Sequence, residues 1–444
     1  MAQRSVYLKN AARLAVSGMV LRLLGMGYRV FLSHRLGTEG MGLYQLVLAV
    51  YTVFVALASS GLNVASTRLA AQSLARGRGM AATLRSLCGT ALCFGTVAMV
   101  LQVSLAGVCA RVFLHDIRAE MPLRILAPSL PFLAVAGAVR GCFLAARKVK
   151  PNITAQFVEQ LVRMATAACA LQVWQHWGAG YACGAVLLGN TVSEAVSCGI
   201  MLSFAAKTGE FAPAPDEPLH PYTAKELYAI VLPVEGSRLL AGGLQAAESG
   251  LIPYTLTLYT GSRADALAQY GALKGMALPL LFFPFSVLAA LSGLLMPEIT
   301  RAHTARNMAR VRHLVRRMLA VTGALSILAG LGFALAGAPL AELLYGDPAV
   351  GVYVRHLSAA APFMYMESMV DGVLKGLGEQ LASFRYSLLD SAFRITAILL
   401  LLPRCGMGAF LGIMVASNAM TCLLNMNRMR KKLKATPHNS RPTA

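Results

Sequence analysis

Arg22 and Arg29 lie seven residues apart in the first long apolar stretch of the chain, two turns along one helix face. Gly18 and Gly25 share that stripe and leave room beside the guanidinium groups. The guanidinium fork matches the oxygens of a phosphate or pyrophosphate, so this pair suits a polyanion. The competing reading is that each arginine snorkels to an interface or pairs with an acid on another helix. Arg29, near the end of its stretch, fits snorkelling; Arg22 sits near the middle with no acid in its own helix.

Further charges interrupt other apolar stretches. Glu235, Arg238, Gly242, Gln245 and Glu248 follow one face of a later stretch. Glu235 and Arg238 can neutralise each other at i,i+3. Glu248 has no basic residue one turn away and suits a proton, a cation or a base on another helix. Lys274 stands five residues before Pro279, with Pro284 beyond, and is the candidate cation of the second half; a salt bridge to Glu248 is its alternative role. Prolines free carbonyls and bend helices at moving joints. Glu159 with Arg163, and Asp390 with Arg394, sit at i,i+4 and read as structural ion pairs. Glu194, Glu367 and Asp371 are left as unpaired acids; the last two share a face one turn from Lys375 and suit an inner gate. An ionisable group on a membrane helix costs about 2.5–3.5 kcal/mol, so each needs a partner or a wet cavity.

The elements that must hold these charges are apolar and duplicated. Hydrophobic residues make up 57% of the 444 and charged ones 13%, too apolar for a soluble domain. Residues 41–67, 86–110, 275–297, 318–341 and 405–427 contain no Asp, Glu, Lys or Arg. A membrane helix needs about 20 apolar residues. Twelve spans are predicted, near 10–32, 41–66, 86–110, 122–144, 153–174, 180–204, 227–253, 266–297, 317–341, 353–375, 383–402 and 405–427. The first run lacks a small-residue cleavage site and reads as a span, not a cleaved signal.

A repeat runs through the chain. Pro131-Phe132, Arg140-Gly141, Glu159 and Arg163 recur as Pro362-Phe363, Asp371-Gly372, Asp390 and Arg394, each 231 residues on. Ser60-Gly61-Leu62 finds Ser292-Gly293-Leu294, and Arg22-Leu23-Leu24 finds Arg238-Leu239-Leu240. Two copies of one hydrophobic unit read as a transporter. The reading is an all-α integral membrane protein with two six-helix lobes in parallel orientation. The lobes are placed at 1–204 and 227–427, with a cytoplasmic linker at 205–226 and a basic cytoplasmic tail at 428–444.

The net charge of +21 does not signal nucleic acid. With the N-terminus in the cytoplasm, 26 Lys and Arg fall in inward segments and seven in outward ones. Basic loops orient a membrane protein toward the cytoplasm, so both termini are expected there. No metal or disulfide role is read from the nine cysteines, which have no CxxC spacing. The eight histidines fall in loops or span ends, and no Walker loop or GxSxG occurs. An enzyme is therefore not expected, and no cofactor beyond H+ or Na+ coupling, or the membrane potential.

Residues 21–72 (LRLLGMGYRVFLSHRLGTEG onward), 126–163 (LAPSLPFLAVAGAVRG onward) and 232–302 (LPVEGSRLLAGGLQAAESG onward) resemble polysaccharide-biosynthesis-type exporters. These form the stage V sporulation protein B-like branch of the multidrug/oligosaccharidyl-lipid/polysaccharide (MOP) flippase superfamily. The resemblance implies a MATE-like fold whose central cavity opens alternately to each side. It implies a flippase for undecaprenyl-pyrophosphate-linked oligosaccharide, lipid II or a related cell-wall or polysaccharide precursor, in the bacterial inner membrane. In lipid II flippases basic residues of the first and eighth helices line the cavity. Arg22, three before Gly25, matches the first-helix arginine; Arg29 lies one position later than the second; Lys274 falls at the eighth-helix arginine. The acid two before the eighth-helix proline is replaced by Ala277. Expected partners are the lipid-linked substrate and the bilayer, with the chain a monomer. A drug/cation antiporter of the same fold is the alternative, but would want an acidic cavity. A membrane glycosyltransferase would need catalytic groups in outer loops, where only scattered Asp116, Glu120 and Asp347 occur.

Overall fold

The computed structural model describes residues 2–75, 80–208, 211 and 222–434, apart from the side chains of 2–15, 60, 287, 289–295 and 297. Of the linker at 205–226, residues 209–210 and 212–221 lie outside the described residues, as do 435–444 of the basic tail and the side chains of the Ser292-Gly293-Leu294 repeat.

The described residues fold into helices with no strand among them. In chain order these are α1 (Ala2–Ala75), α2 (Ala81–Val108), α3 (Glu120–Leu126), α4 (Ser129–Ala145), α5 (Lys150–Trp174), α6 (Ala179–Lys207) and α7 (Ala224–Thr260). Then come α8 (Arg263–Tyr270), α9 (Leu278–Phe282), α10 (Phe285–Thr304), α11 (Met308–Tyr345), α12 (Pro348–Leu357), α13 (Ala361–Gly376) and α14 (Gln380–Lys434). Six described helices are long and apolar enough to cross a membrane, seven if the bent pair α3 and α4 is one span. Two of the six are doubled. α1 breaks at Gly37 (φ 66°) and α14 at Gly406 (φ 63°), each joining two predicted spans. Positive φ is the conformation glycine reaches at no steric cost. The predicted spans lie in helical chain, with 122–144, 266–297 and 353–375 each crossing a break between helices, and the fold is consistent with twelve crossings.

Other breaks are visible in the sequence as prolines. α3 and α4 meet at 42° beside Pro128. Ahead of Pro279 the chain winds as a π-helix over Gly271–Ala277, which removes the conflict with a missing N–H. At Pro284 the ladder tightens: Phe283 N–H donates to Leu280 O and Ser286 N–H to Phe283 O. The carbonyl of Leu281 accepts instead from the hydroxyl of Tyr365. α7 starts with a capping box, Thr223 N–H to Glu226 Oε2 at 2.8 Å and Glu226 N–H to Thr223 Oγ1 at 3.3 Å.

The chain packs as two compact units, residues 31–250 (the inner unit of the sequence) and residues 1–30 with 251–444 (the outer unit). The units group the helices differently from the duplicated halves 1–204 and 227–427. In the outer unit the start of α1 lies against later helices: Arg22 Nη1 donates to Ser286 O at 2.8 Å, and Tyr345 Oη lies 3.9 Å from Met26 Sδ. In the inner unit α7 lies along early helices. A Cβ at Gly242 would lie 3.9 Å from Val53, and one at Gly250 3.1 Å from Phe113 O.

Within the inner unit, α2 packs on α4, and α6 on both α4 and α5. Small residues let the backbones approach, which is how apolar helices associate where no hydrophobic force acts between them. A Cβ at Gly95 would lie 2.5 Å from Pro131 Cα, and one at Gly141 2.8 Å from Ser66. Within the outer unit, α11 packs on α10, α12 and α13, and α13 on α14.

Candidate functional site

The structure puts Arg22, Arg29 and Lys274 in one unit, the outer one. The sequence alone assigned them to different halves. Arg22 reaches the break in the eighth span: its Nη1 bonds Ser286 O at 2.8 Å, two residues past Pro284. Its other N–H donors have no protein acceptor among the described residues. Arg29 is half-buried near Met26, whose sulfur lies 3.9 Å from Tyr345 Oη at the end of α11. Neither arginine has an ion-pair partner among the described residues, which removes the paired-acid reading for both. A side-chain carbon added at Gly18 or Gly25 would meet nothing within 4 Å, so the room inferred beside the guanidinium groups is there. Lys274 is half-buried in the π-helical segment and is engaged by a neighbour. Surplus guanidinium donors beside open space can bind an anion's oxygens.

The acids of the outer unit form a second cluster. Lys375 Nζ lies 2.6 Å from Asp371 Oδ2, and Ser383 Oγ also donates to Asp371. Asn425 Nδ2 donates to Glu367 Oε1 at 3.4 Å. Asp390 accepts from Ser417 Oγ and, at 3.1 Å, from Thr421 Oγ1, while Arg394 Nη1 is 3.9 Å away. Glu367 and Asp371 are thus not unpaired, as the sequence reading had them: Lys375 one turn on takes Asp371, and α14 brings Ser383 to Asp371 and, past the break at Gly406, Asn425 to Glu367.

The matching region of the inner unit is built on the same plan with one sign reversed. Glu159 sits between two arginines, Arg163 Nη2 at 2.7 Å and Arg140 Nη2 at 2.7 Å. Ser197 Oγ donates to Glu159 Oε2 at 3.0 Å and accepts from Arg140 Nη2 at 2.7 Å. Arg163 Nη2 also lies 3.7 Å from Glu194 Oε1, so Glu194 joins the network and is not unpaired. Position 140 carries a base where its repeat, Asp371, carries an acid. The inner network balances Arg140 and Arg163 against Glu159 and Glu194, whereas the outer cluster sets Glu367, Asp371 and Asp390 against Lys375 and Arg394. The i,i+4 pairs were legible; the role of Arg140 was visible only as a repeat partner, and that of Ser197 carried no sequence signal.

On α7 the expected Glu235–Arg238 pair is not formed. Glu235 is buried and its Oε2 accepts the backbone N–H of Gly61 at 2.8 Å, while Arg238 is exposed. A backbone N–H bonded to the buried carboxylate holds it in place of an exposed partner one turn away. Glu235 Oε1 is buried with no hydrogen-bond partner. Glu248 is buried and engaged by a neighbour. No group of His, Cys, Asp and Glu among the described residues is arranged to hold a metal ion.

Comparison with known proteins places this geometry. A family model described as polysaccharide biosynthesis protein matches residues 7–213. Stage V sporulation protein B of Bacillus subtilis (strain 168) is 26% identical over 417 residues, covering 91% of this chain and 79% of its own. Sporulation protein YkvU of the same organism is 22% identical, covering 84% and 83%. Among solved structures, an inward-facing multidrug resistance MATE family transporter of the MOP superfamily aligns with a TM-score of 0.72 at 13% identity, over 95% of this chain and all of its own. A MOP superfamily transporter from Pyrococcus furiosus Vc1, described as having a binding pocket of reverse polarity, aligns at 0.70 and 12% identity, over 96% of both chains. The chain therefore carries the fold of the MOP superfamily transporters, and its residues 7–213 match the polysaccharide biosynthesis protein model.

Proposed function

We propose that the chain is an alternating-access flippase for an undecaprenyl-pyrophosphate-linked oligosaccharide. Lipid II, or a related cell-wall or polysaccharide precursor, is the substrate class, and the bacterial inner membrane the site, with both termini cytoplasmic. The relatives' names suggest sporulation as a setting. One observation carries the reading. Arg22 and Arg29 are cations without a counter-acid among the described residues, beside open space at Gly18 and Gly25, in the unit that also holds Lys274. A pyrophosphate supplies the missing negative charge, Gly25 leaves it room, and the prenyl tail stays in lipid. In the inner unit, Arg238, exposed on α7, is a separate substrate-binding candidate.

Glu235, Glu248, Glu367 and Asp371 are the groups through which a proton, Na+ or the membrane potential biases the motion. One elementary charge crossing 100 mV is worth about 2.3 kcal/mol. The test is leaflet exchange of fluorescent lipid-linked sugars in liposomes holding the purified chain. Arg22→Ala and Lys274→Ala should each abolish exchange with normal expression; full exchange in the double variant sinks the assignment. The acid-rich cluster of α13 and α14 favours a second reading, a drug/cation antiporter. That reading predicts dye efflux blocked by Glu248→Gln and unaffected by Arg22→Ala.

A further inference from the structure

α11 is longer than a membrane requires, and its surplus is basic. Its 38 residues span about 57 Å. The charge-free part, 318–341, is about 36 Å long and fills a hydrocarbon core of about 30 Å. The first turns, from Met308 to Arg317, therefore project through the headgroup layer. One face of this projection is packed: Val311, Val315 and Met318 are buried. The opposite face shows Arg312, His313, Arg316 and Arg317, all exposed.

These cations are stacked on one another. Among the arginines, Arg312 lies one turn below Arg316, and like charges at i,i+4 repel. Nothing nearby offsets them. Residues 299–341 contain no Asp or Glu. Glu298 is taken by Arg310 at 2.9 Å. Arg316 and Arg317 have no ion-pair partner among the described residues.

The end of α14 adds charge at the same end of this unit. Thr300 of α10 donates to Gly376 O of α13 at 3.2 Å, which aligns those helix ends with the start of α11. Three residues on, Glu379 takes Arg428 at 2.6 Å and Lys432 at 2.7 Å. Arg430, Lys431 and Lys434 are left exposed on the same last turns.

We propose that this face binds the headgroups of anionic phospholipids, with Arg312, Arg316 and Arg317 at its centre and Arg430, Lys431 and Lys434 beside them. The basic-loop rule accounts for the number of cations on one side. It does not account for their stacking on an exposed face at headgroup depth with no acid among them. A row of lipid phosphates offsets the mutual repulsion, and each base near such a surface favours anionic lipid severalfold. The inference does not rest on the flippase reading.

The test uses the full chain in phosphatidylcholine bilayers with spin-labelled phosphatidylglycerol or phosphatidylcholine as probe. The motionally restricted fraction of each label gives the selectivity. The wild type should select phosphatidylglycerol, and added salt should erase the preference. Arg312→Gln/Arg316→Gln/Arg317→Gln should lower the selectivity at least about threefold. The matching three Lys substitutions should keep it, and so should Arg355→Gln/Arg404→Gln at the opposite end. Should the Gln variant not fold, the Lys variant and the salt titration decide. Unchanged selectivity in the Gln variant overturns the proposal. So does equal loss in the Arg355/Arg404 control, salt-independent selectivity, or restriction of a prenyl pyrophosphate label with none of phosphatidylglycerol.

Discussion

Replacing Glu159 by alanine removes the one acceptor that two arginines of the inner unit share. Arg140 and Arg163 each approach it at 2.7 Å, and the three side chains are 28%, 23% and 13% exposed for Arg140, Arg163 and Glu159. Breaking a buried ion pair from one side costs about 3–5 kcal/mol, because the remaining charge stays uncompensated. Partial exposure, and Glu194 at 3.7 Å from Arg163, put this case at the lower end, about 3 kcal/mol. Residues 31–250 form a unit of about 220 residues, whose unfolding entropy near 60 °C is about 0.5 kcal/mol/K. The midpoint should then fall by about 6 °C. The converse is the sharper statement. Arg140→Met/Glu159→Met/Arg163→Met/Glu194→Leu removes every charge of the network and should stay within about 2 °C of wild type, since apolar replacement of a whole buried ion network is near neutral. Thermal unfolding in detergent, followed by a thiol-reactive dye, reports it. Cys142, Cys183 and Cys198 are buried in this unit, while exposed Cys93 and Cys169 label before heating. If the fourfold variant melts well below Glu159→Ala, uncompensated charge is not the cause of the loss and the reasoning fails.

Other expected outcomes are as direct. Gly61→Ala should cost about 2–4 kcal/mol, because its Cβ would lie 2.7 Å from Val231 O and 2.8 Å from Glu235 Oε2; Gly243→Ala, with nothing within 4 Å, should melt as wild type. Gly406→Ala should lower the melting midpoint by a comparable cost, about 2–4 kcal/mol, since φ is 63° and Tyr259 Cε1 would lie 2.5 Å from the new carbon; Tyr259→Leu should recover part of it. Lys432, and with it Arg428, holds the Glu379 carboxyl below its ordinary value of 4.5. A carboxyl depressed by folding stabilises above its unfolded value and loses that contribution as pH falls through the folded one. Hydrogen exchange over residues 428–434, corrected for intrinsic rate, should stay flat from neutral pH to about 4.5 and rise below it, whereas Glu379→Gln should exchange fast throughout. A flat profile in both would remove the clamp as the cause.

The sequence by itself determined what is local or periodic. Long charge-free runs had to be membrane helices, because no other open chain satisfies its backbone in hydrocarbon. The 231-residue offset announced the repeat, and Glu159–Arg163 was legible because i,i+4 residues share a helix face. Prolines 279 and 284 marked where the eighth span departs from a regular α-helix, though not that a π-helix precedes them. Only the tertiary structure decided which distant groups meet. It turned Glu235 from Arg238 to the Gly61 N–H, brought Arg163 to Glu194, Asn425 to Glu367 and Ser383 to Asp371, and drew Arg22 to Ser286 O. It also grouped residues 1–30 with the second half and α7 up to Gly250 with the first. The reason is physical: helix periodicity says which face a residue occupies, but the neighbour of that face is set by how small residues let whole helices approach. That information is spread over glycines such as Gly95 and Gly141, none of which carries a charge to announce it.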